Sequence, residues 1–193
     1  WNKLHILPIE LFIGKCDLFH TSDWTHPPTL KAKTITTVHD MTPFLYPQWL
    51  HPKIVTAHHN KFRQALRHCH FYICVSQSTK NDLLKVFPQI NPHQTSVIYE
   101  AAENKYDKFL KLKTQDQEKK KASILKQYGL NHYILAQGTR EPRKNLDRLI
   151  TAFNQFKNRN PGSTVVLAIA GKYGWGEDVN NPNPGIKILG YIP

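Results

Sequence analysis

Residues 138–145 read Gly-Thr-Arg-Glu-Pro-Arg-Lys-Asn, and this stretch decides the fold class of the chain. The apolar run 133–136 precedes it and predicts a buried parallel strand. Apolar residues at helical spacing follow it and predict an amphipathic helix. A glycine turn that joins a strand to a helix is typical of an α/β fold, in which ligands bind at the carboxyl edge of the sheet. The apolar positions of the helix are Leu146, Leu149, Ile150, Phe153 and Phe156.

The basic residues of this stretch predict an anion-binding site. Arg140, Arg143 and Lys144 lie where the strand passes into the helix, and the first backbone N–H groups of a helix have no partner within it. Fixed positive charge beside such N–H groups suits a phosphate group best. The alternative is a solvated loop in which Glu141 and Arg143 pair with each other.

A second junction of this kind lies upstream, at His39 and Asp40. The β-branched run 34–38 predicts a strand that ends there. A histidine at the end of a strand can face a cleft, and the following aspartate can orient it. The alternative is a capping Asp40 and a structural His39. Further along, the apolar run 71–75 predicts another strand, and Ser76 or Ser78 is suited to cap the helix after it.

Strands and helices alternate along most of the chain, which predicts parallel sheets with crossover helices. The polar, lysine-rich segment 104–132 contains a helical pattern that ends at Gly129, and we expect it to connect two domains. The predicted strands are 17–21, 34–38, 71–75, 95–99, 133–137, 164–170 and 186–190, and the two longest helices outside the connection are 53–68 and 145–159.

Three motifs in this order closely resemble family 4 (group 1) glycosyltransferases, which are retaining enzymes of the GT-B fold. They are the string GTREPRKNLDRLITAF from Gly138, the His-Asp-x-x-Pro segment at 39–43, and Val-Ser-x-x-Thr-Lys-x-Asp-Leu at 75–83. The resemblance implies an α/β chain with two Rossmann-like parallel-sheet domains, each incomplete here. The family's first glycine-rich loop would lie before Trp1, and its acidic Glu-x7-Glu segment would lie beyond Pro193.

The resemblance also implies domain bounds. Residues 1–106 correspond to the second half of the N-terminal, acceptor-side domain. Residues 107–132 form the connection, and residues 133–193 correspond to the first half of the C-terminal domain, which binds the nucleotide sugar. One segment departs from the family: residues 100–103 read Glu-Ala-Ala-Glu where an Asn-Gly pair is common, so no specific role is carried over to them.

Roles for individual residues follow from the resemblance. His39 is the expected catalytic residue and reaches toward the donor sugar. Arg143 and Lys144 are expected to hold the donor diphosphate, although the family usually has an apolar residue at the position of Arg140. The remaining expected residues are Gly138, Thr139 and Arg140 at the diphosphate, Gly171 and Lys172 in a donor-side loop, and Trp24, His26, Asp40 and Ser76 on the acceptor side.

The implied function is transfer of a hexose, with mannose as the first guess, from a nucleotide sugar to a glycan or lipid-linked acceptor with retention. The nucleotide sugar is a substrate, and no metal or cofactor is expected. The segment His68-Cys69-His70 with Cys74 has metal-ligand chemistry but lacks the second ligand pair of a zinc site. The alternatives are a truncated or degenerate, non-catalytic nucleotide- or sugar-binding module, or a basic nucleic-acid-binding protein.

Charge and cysteine content bear on partners and location. The net charge of +12 suits an anionic membrane surface, where lipid-linked acceptors lie. No helix-turn-helix, zinc-finger or RNP-like pattern is visible, so no nucleic-acid partner is expected. The odd number of cysteines, three, argues against a disulfide framework. The sequence contains no run of about 18 apolar residues, so no membrane span is predicted. We therefore expect a cytoplasmic protein, peripheral at the inner face of the membrane.

Overall fold

The computed structural model describes residues 7–176, 178 and 183–192, apart from the side chain of Lys105. The chain divides into two compact units, Trp1–Ala101 and Ala102–Pro193. Each unit contains one parallel sheet with helices packed on it, so the predicted α/β class is confirmed. Within the described residues, no helix has both the length and the apolar character needed to cross a membrane.

The sheet of the first unit has four strands in the order β1-β2-β3-β4, and all neighbouring pairs are parallel. Short 3₁₀ turns cover Pro47–Trp49 and Pro92–Gln94. The elements are α1 (Glu10–Ile13), β1 (Leu18–Thr21), β2 (Lys33–Val38), α2 (Thr42–Leu45), α3 (Pro52–His68), β3 (Phe71–Cys74), α4 (Gln77–Val86) and β4 (Thr95–Val97).

The core of this unit lies on one face of the sheet. Burial alternates along β2 and β3, as the two-residue period of a strand requires, so that Val38, Tyr72 and Cys74 share the covered face. Phe62 and Ala65 of α3 pack there, and the Tyr72 hydroxyl donates a hydrogen bond to the Ala65 carbonyl (2.9 Å). The packing of α3 on this face fixes the carboxyl ends of β2 and β3, where His39 and Ser76 follow.

The second unit has a three-stranded parallel sheet in the order β5-β6-β7. Phe153, Leu167 and Ile169 form its core, in which α7 covers β6. Gly129 ends α6 in the left-handed conformation (φ 60°), as its position predicts. The elements are α5 (Asn104–Leu110), α6 (Thr114–Tyr128), β5 (Tyr133–Gln137), α7 (Leu146–Arg159), β6 (Val166–Ala170) and β7 (Ile186–Gly190).

The strand predicted at 133–136 is present as β5, but the prediction that it is buried is wrong. Tyr133, Ile134 and Leu135 are 41%, 47% and 53% exposed. The reason is position, because β5 is the first strand in the order of this sheet and β6 is the central one. Strand β6 has neighbours on both sides and α7 above it, and its Leu167 is fully buried.

Candidate functional site

Two loops at the carboxyl edge of the second sheet are joined by backbone hydrogen bonds. Gly138, just after β5, donates to the Ala170 carbonyl (3.0 Å), and the Arg140 amide donates to the Lys172 carbonyl (2.9 Å). The contact closes at Gly171, where φ is +142° and an added Cβ would lie 1.8 Å from the Gly138 carbonyl oxygen. Only glycine allows the two backbones to approach so closely. The loops therefore form one continuous wall.

This wall borders a cavity of about 200 Å³ at the ends of all three strands. Of the residues predicted to bind the ligand, Gly138, Thr139, Gly171 and Lys172 line it together. The carboxyl edge of a parallel sheet is where α/β proteins bind ligands. The other lining residues, which the sequence did not single out, are Gln137, Ala170, Tyr191 and Ile192.

Two of the predicted phosphate ligands are already engaged by carboxylates. The Nη2 atom of Arg140 donates a hydrogen bond to Asp178 Oδ2 (3.1 Å), and its Nε lies 3.1 Å from Oδ1 without hydrogen-bond alignment. Arg143 pairs through Nε with Glu141, which is the local pair that the sequence offered as an alternative. Neither guanidinium can bind a phosphate fully without changing these contacts.

The cations that remain are Lys144 and Lys172. The side chain of Lys144 lies against the Gly138 turn: a Cβ built on Gly138 would lie 3.4 Å from Lys144 Cε and 3.8 Å from its Nζ. Both lysines are exposed, and neither ammonium group has an ion-pair partner among the residues that the structure describes. Lys172 lines the cavity, whereas Lys144 is not among its lining residues and lies against Gly138, which is. Unpaired positive charge at this edge of the sheet attracts anions.

The next helix begins directly after this loop, with Asp147 in its first turn. Lys144 ends a 3₁₀ turn, and Asn145 then adopts the left-handed conformation (φ 53°, ψ 41°) before α7 begins. No side chain caps the first turn of α7, so its N–H groups are not satisfied by a cap. Asparagine is one of the few residues besides glycine that tolerate this backbone conformation.

In the first unit, His39 follows β2 at the carboxyl edge of the sheet. Its carbonyl accepts a hydrogen bond from the Thr79 hydroxyl (3.1 Å), which ties its backbone to the start of α4. Its Nδ1 lies 3.1 Å from Oε1 of Glu100, and the two side chains are 46% and 67% exposed. Reasoning from the sequence missed Glu100, although its place just after β4 put it at the same edge.

Asp40 and Ser76 have structural contacts. Asp40 Oδ1 accepts a hydrogen bond from the Thr42 amide (2.8 Å) at the start of α2. Ser76 Oγ accepts from the Thr79 amide (3.0 Å) and caps α4, so of the two predicted serines Ser76 is the cap. The Asp40 carboxylate is hydrogen-bonded at the start of α2, and the carboxylate that lies beside the His39 ring is that of Glu100.

The loop after β1 carries two predicted site residues, Trp24 and His26, which lie in different environments. Trp24 is half exposed, and its ring centroid lies 5.3 Å from that of His58. His26 is fully buried, and neither ring nitrogen has a hydrogen-bond partner in the described part of the chain. Burial and the nearby charge of Lys61 lower the pKa of His26 to about 4, so its ring is neutral at physiological pH. Only Trp24 faces solvent, where an acceptor could contact it.

A buried lysine that the sequence did not single out holds this loop. The side chain of Lys61, on α3, is 0% exposed, and its Nζ donates hydrogen bonds to Asp23 Oδ1 (3.3 Å) and to the Thr37 carbonyl (3.2 Å). Burial lowers the pKa of the Lys61 ammonium, and Asp23 opposes part of that shift. The only signal in the sequence was a lysine beside Phe62 on the apolar face of α3.

The cysteines around β3 are partly or fully buried, whereas His68 and His70 are exposed. His70 Nδ1 accepts a hydrogen bond from the Thr34 amide (3.1 Å), and Cys74 lies in the core. Burial raises the pKa of the Cys69 and Cys74 thiols to about 11, which keeps them protonated. In the described residues, no group of three or more His, Cys, Asp or Glu side chains is placed to hold a metal ion.

Comparison with known proteins identifies the family. A search of curated proteins gives no match. The model of the family described as Glycosyltransferase Family 4 matches residues 4–103, just over half of the 193-residue chain. This span contains the whole first sheet, His39 and Glu100, and its parallel α/β topology agrees with the Rossmann-like domains of GT-B glycosyltransferases. The chain belongs to Glycosyltransferase Family 4 and carries a glycosyltransferase domain with sugar donor and acceptor substrates.

Proposed function

We propose that this chain is part of a retaining transferase that moves a hexose from a nucleotide sugar to a glycan or lipid-linked acceptor. The observation that carries the proposal is the cavity at the end of the second sheet, which Lys172 lines and beside which Lys144 lies against Gly138. Neither ammonium group has an ion-pair partner among the described residues. Mannose is the first sugar to test. The family match supports transfer of a sugar in general, and the choice of donor and acceptor is our proposal.

The chemistry of the leaving group explains why this cavity would bind the donor. As the bond between the sugar and the diphosphate breaks, negative charge develops on the phosphate oxygens. Preorganised cations and backbone N–H groups stabilise such charge, and one well-placed donor contributes about 3 kcal/mol. In this proposal Lys144, Lys172 and the uncapped start of α7 supply that stabilisation without a metal ion.

The pairs made by Arg140 and Arg143 refine the assignment. Arg140 pairs with Asp178 and Arg143 pairs with Glu141, so we propose that both arginines stabilise the conformation of the loop before ligand binding. Lys144 lies against the Gly138 turn with its ammonium unpaired among the described residues, and it becomes the first candidate for direct contact with the diphosphate.

The first unit would supply the sugar and acceptor contacts. His39 is partly exposed at the carboxyl edge of its sheet, where we propose that it contacts the transferred sugar. Trp24 presents an exposed ring on the neighbouring loop and is the proposed acceptor contact. The net charge of +12 supports attachment to an anionic membrane surface, and cytoplasmic, peripheral location at the inner face is part of the proposal.

Ligand-induced thermal stabilisation tests this function. We would measure the Tm of the chain with GDP, UDP, ADP and inorganic diphosphate, since a ligand that binds only the folded state raises Tm. We expect one nucleotide to stabilise the chain more than the others, which would identify the base of the donor. Equal stabilisation by bulk RNA, competing with the nucleotide, would contradict the proposal and favour the nucleic-acid-binding alternative.

A turnover assay then separates an enzyme from a non-catalytic module. We would incubate the full-length protein with the nucleotide sugar of the identified base and follow release of the nucleoside diphosphate. Release that depends on the acceptor is the expected result. Binding without any release, with donor and acceptor panels both exhausted, would indicate a degenerate copy.

A further inference from the structure

His39 and Glu100 reach each other from strands that are not neighbours. His39 follows β2 and Glu100 follows β4, with β3 between them in the sheet. Both backbones are anchored near these residues. The His39 carbonyl accepts the Thr79 hydroxyl, and the Ile98 amide donates to the Cys74 carbonyl (3.0 Å), which extends the sheet past the end of β4.

The distance between these side chains has a consequence for the protonation of the ring. Oε1 of Glu100 lies 3.1 Å from Nδ1 of His39. In the neutral ring one nitrogen carries the proton and the other carries a lone pair. The contact is an ion-pair distance without hydrogen-bond alignment, so its effect is electrostatic. At this distance the carboxylate attracts a proton on Nδ1 and repels a lone pair there. The carboxylate therefore favours the form of the ring with the proton on Nδ1.

We infer that Glu100 is a positioning residue for His39, which sets its Nδ1–H tautomer and leaves Nε2 as a hydrogen-bond acceptor. No described residue occupies Nε2, so it remains available. The inference rests on the proposed function, in which His39 contacts the transferred sugar. With the proton on Nδ1, His39 accepts a hydrogen bond from a sugar hydroxyl through Nε2, and Glu100 itself touches no substrate.

Asp40 does not compete for this role, although it is next to His39 in the chain. Its Oδ1 accepts the Thr42 amide at 2.8 Å, and no ion pair joins it to the His39 ring in the described structure. Glu100 is the carboxylate within ion-pair distance. The Glu-Ala-Ala-Glu segment, which carries no assigned role by resemblance, thus gains one through its first residue.

Nitrogen NMR of the histidine rings tests the inference directly. The chain is labelled with ¹⁵N-histidine and measured at alkaline pH, where imidazole rings are neutral. The His39 signals are assigned by their absence in His39→Ala. We expect Nδ1–H to be the major form in the wild type, and its ratio to the Nε2–H form to fall about threefold in Glu100→Ala, as suits a partly exposed pair. Glu118→Gln, which removes an exposed carboxylate of α6, is the control and should leave the ratio unchanged.

The result that overturns the inference is an unchanged His39 ratio in Glu100→Ala. Signals of the other ten histidines, including that of buried His26, report whether the variant is folded. Glu100→Gln keeps an oxygen with partial negative charge but removes the full charge, and we expect its tautomer ratio to lie between those of wild type and Glu100→Ala. Because no nucleotide sugar is used, a change in the tautomer with no transfer activity would support this inference while contradicting the proposed function.

Discussion

Lys61 and Asp23 form an ion pair in which one partner is buried and the other is partly in solvent. Nζ lies 3.3 Å from Oδ1, and the side chains are 0% and 34% exposed. The ammonium also donates to the Thr37 carbonyl on β2, so the pair links α3, the sheet and the loop that carries Trp24. A buried ammonium without a partner is costly, so the Lys61–Asp23 ion pair stabilises the position of this loop.

The asymmetry of this pair predicts unequal effects of removing each partner. Asp23→Asn leaves the Lys61 ammonium buried beside a neutral amide, and we expect it to lower the free energy of unfolding by about 2 kcal/mol, less than a fully buried pair because Asp23 is partly solvated. Lys61→Met removes the buried charge and leaves an aspartate that water reaches, so its effect should be within about 1 kcal/mol. Urea unfolding of the chain measures both. A larger loss in Lys61→Met than in Asp23→Asn would show that the pair does not hold the loop in this way.

Glu10 makes the stability of the chain depend on pH in the acid range. Its carboxylate accepts hydrogen bonds from the amides of Leu30, Lys31 and Ala32 at 2.9–3.1 Å. Burial acts to raise the pKa of Glu10, but these hydrogen bonds outweigh it and lower the pKa from 4.5 to about 2. The unfolded chain therefore binds the proton more tightly, and stability from this group is complete above about pH 4.5 and lost as the pH falls toward 2.

Comparison with Glu10→Gln isolates the contribution of the Glu10 carboxylate to the stability of the chain. The difference in the free energy of unfolding between wild type and variant should be constant near neutral pH and shrink between pH 4.5 and 2. Urea unfolding at a series of pH values measures it. A difference that stays constant down to pH 2 would mean that the carboxylate does not make these bonds in solution.

Gly171 permits the contact between the two loops of the second unit. Alanine there would place Cβ 1.8 Å from the Gly138 carbonyl oxygen, in a backbone conformation (φ +142°) that strains any side chain. We expect Gly171→Ala to cost about 3 kcal/mol or more and to reduce nucleotide binding. Gly162→Ala is the matched control, since nothing lies within 4 Å of its added Cβ, and it should change stability by less than about 1 kcal/mol. Thermal unfolding that is equal for the two variants would refute the close contact.

His39→Ala should separate binding from turnover in the full-length enzyme. His39 lies in the first unit and the cavity with Lys144 in the second, so the variant should keep the nucleoside diphosphate affinity of wild type within about twofold. If the ring contacts the sugar in the transition state, kcat should fall about 100-fold. Steady-state kinetics with the donor identified by thermal stabilisation gives both values. Full turnover in the variant would assign His39 a structural role only.

Local patterns in the sequence were sufficient to predict most elements. The strand predicted at 186–190 is Ile186–Gly190, and the helix predicted at 145–159 is Leu146–Arg159. Both depend on periodicity and on turn residues within the segment itself. The burial of β5 could not be predicted in this way, because burial depends on the position of a strand in its sheet.

The site was harder to predict for the same physical reason. Four glycine, threonine and lysine positions at the ends of β5 and β6 line one cavity, because the carboxyl ends of parallel strands share an edge. The partners of the charged residues come from distant parts of the chain. Glu100 pairs with His39, Asp178 with Arg140 and Asp23 with Lys61, and no local pattern in the sequence marks these pairs.

The most direct test of the central claim is the affinity of the chain for inorganic diphosphate with and without the Lys144 ammonium. Isothermal titration calorimetry would compare wild type with Lys144→Ala and with Lys120→Ala, an exposed lysine of α6 outside the cavity. We predict that Lys144→Ala weakens binding about tenfold, equivalent to about 1.4 kcal/mol, while Lys120→Ala changes it less than twofold. Equal affinity in wild type and Lys144→Ala, or equal weakening in both variants, would contradict a diphosphate site at this cavity.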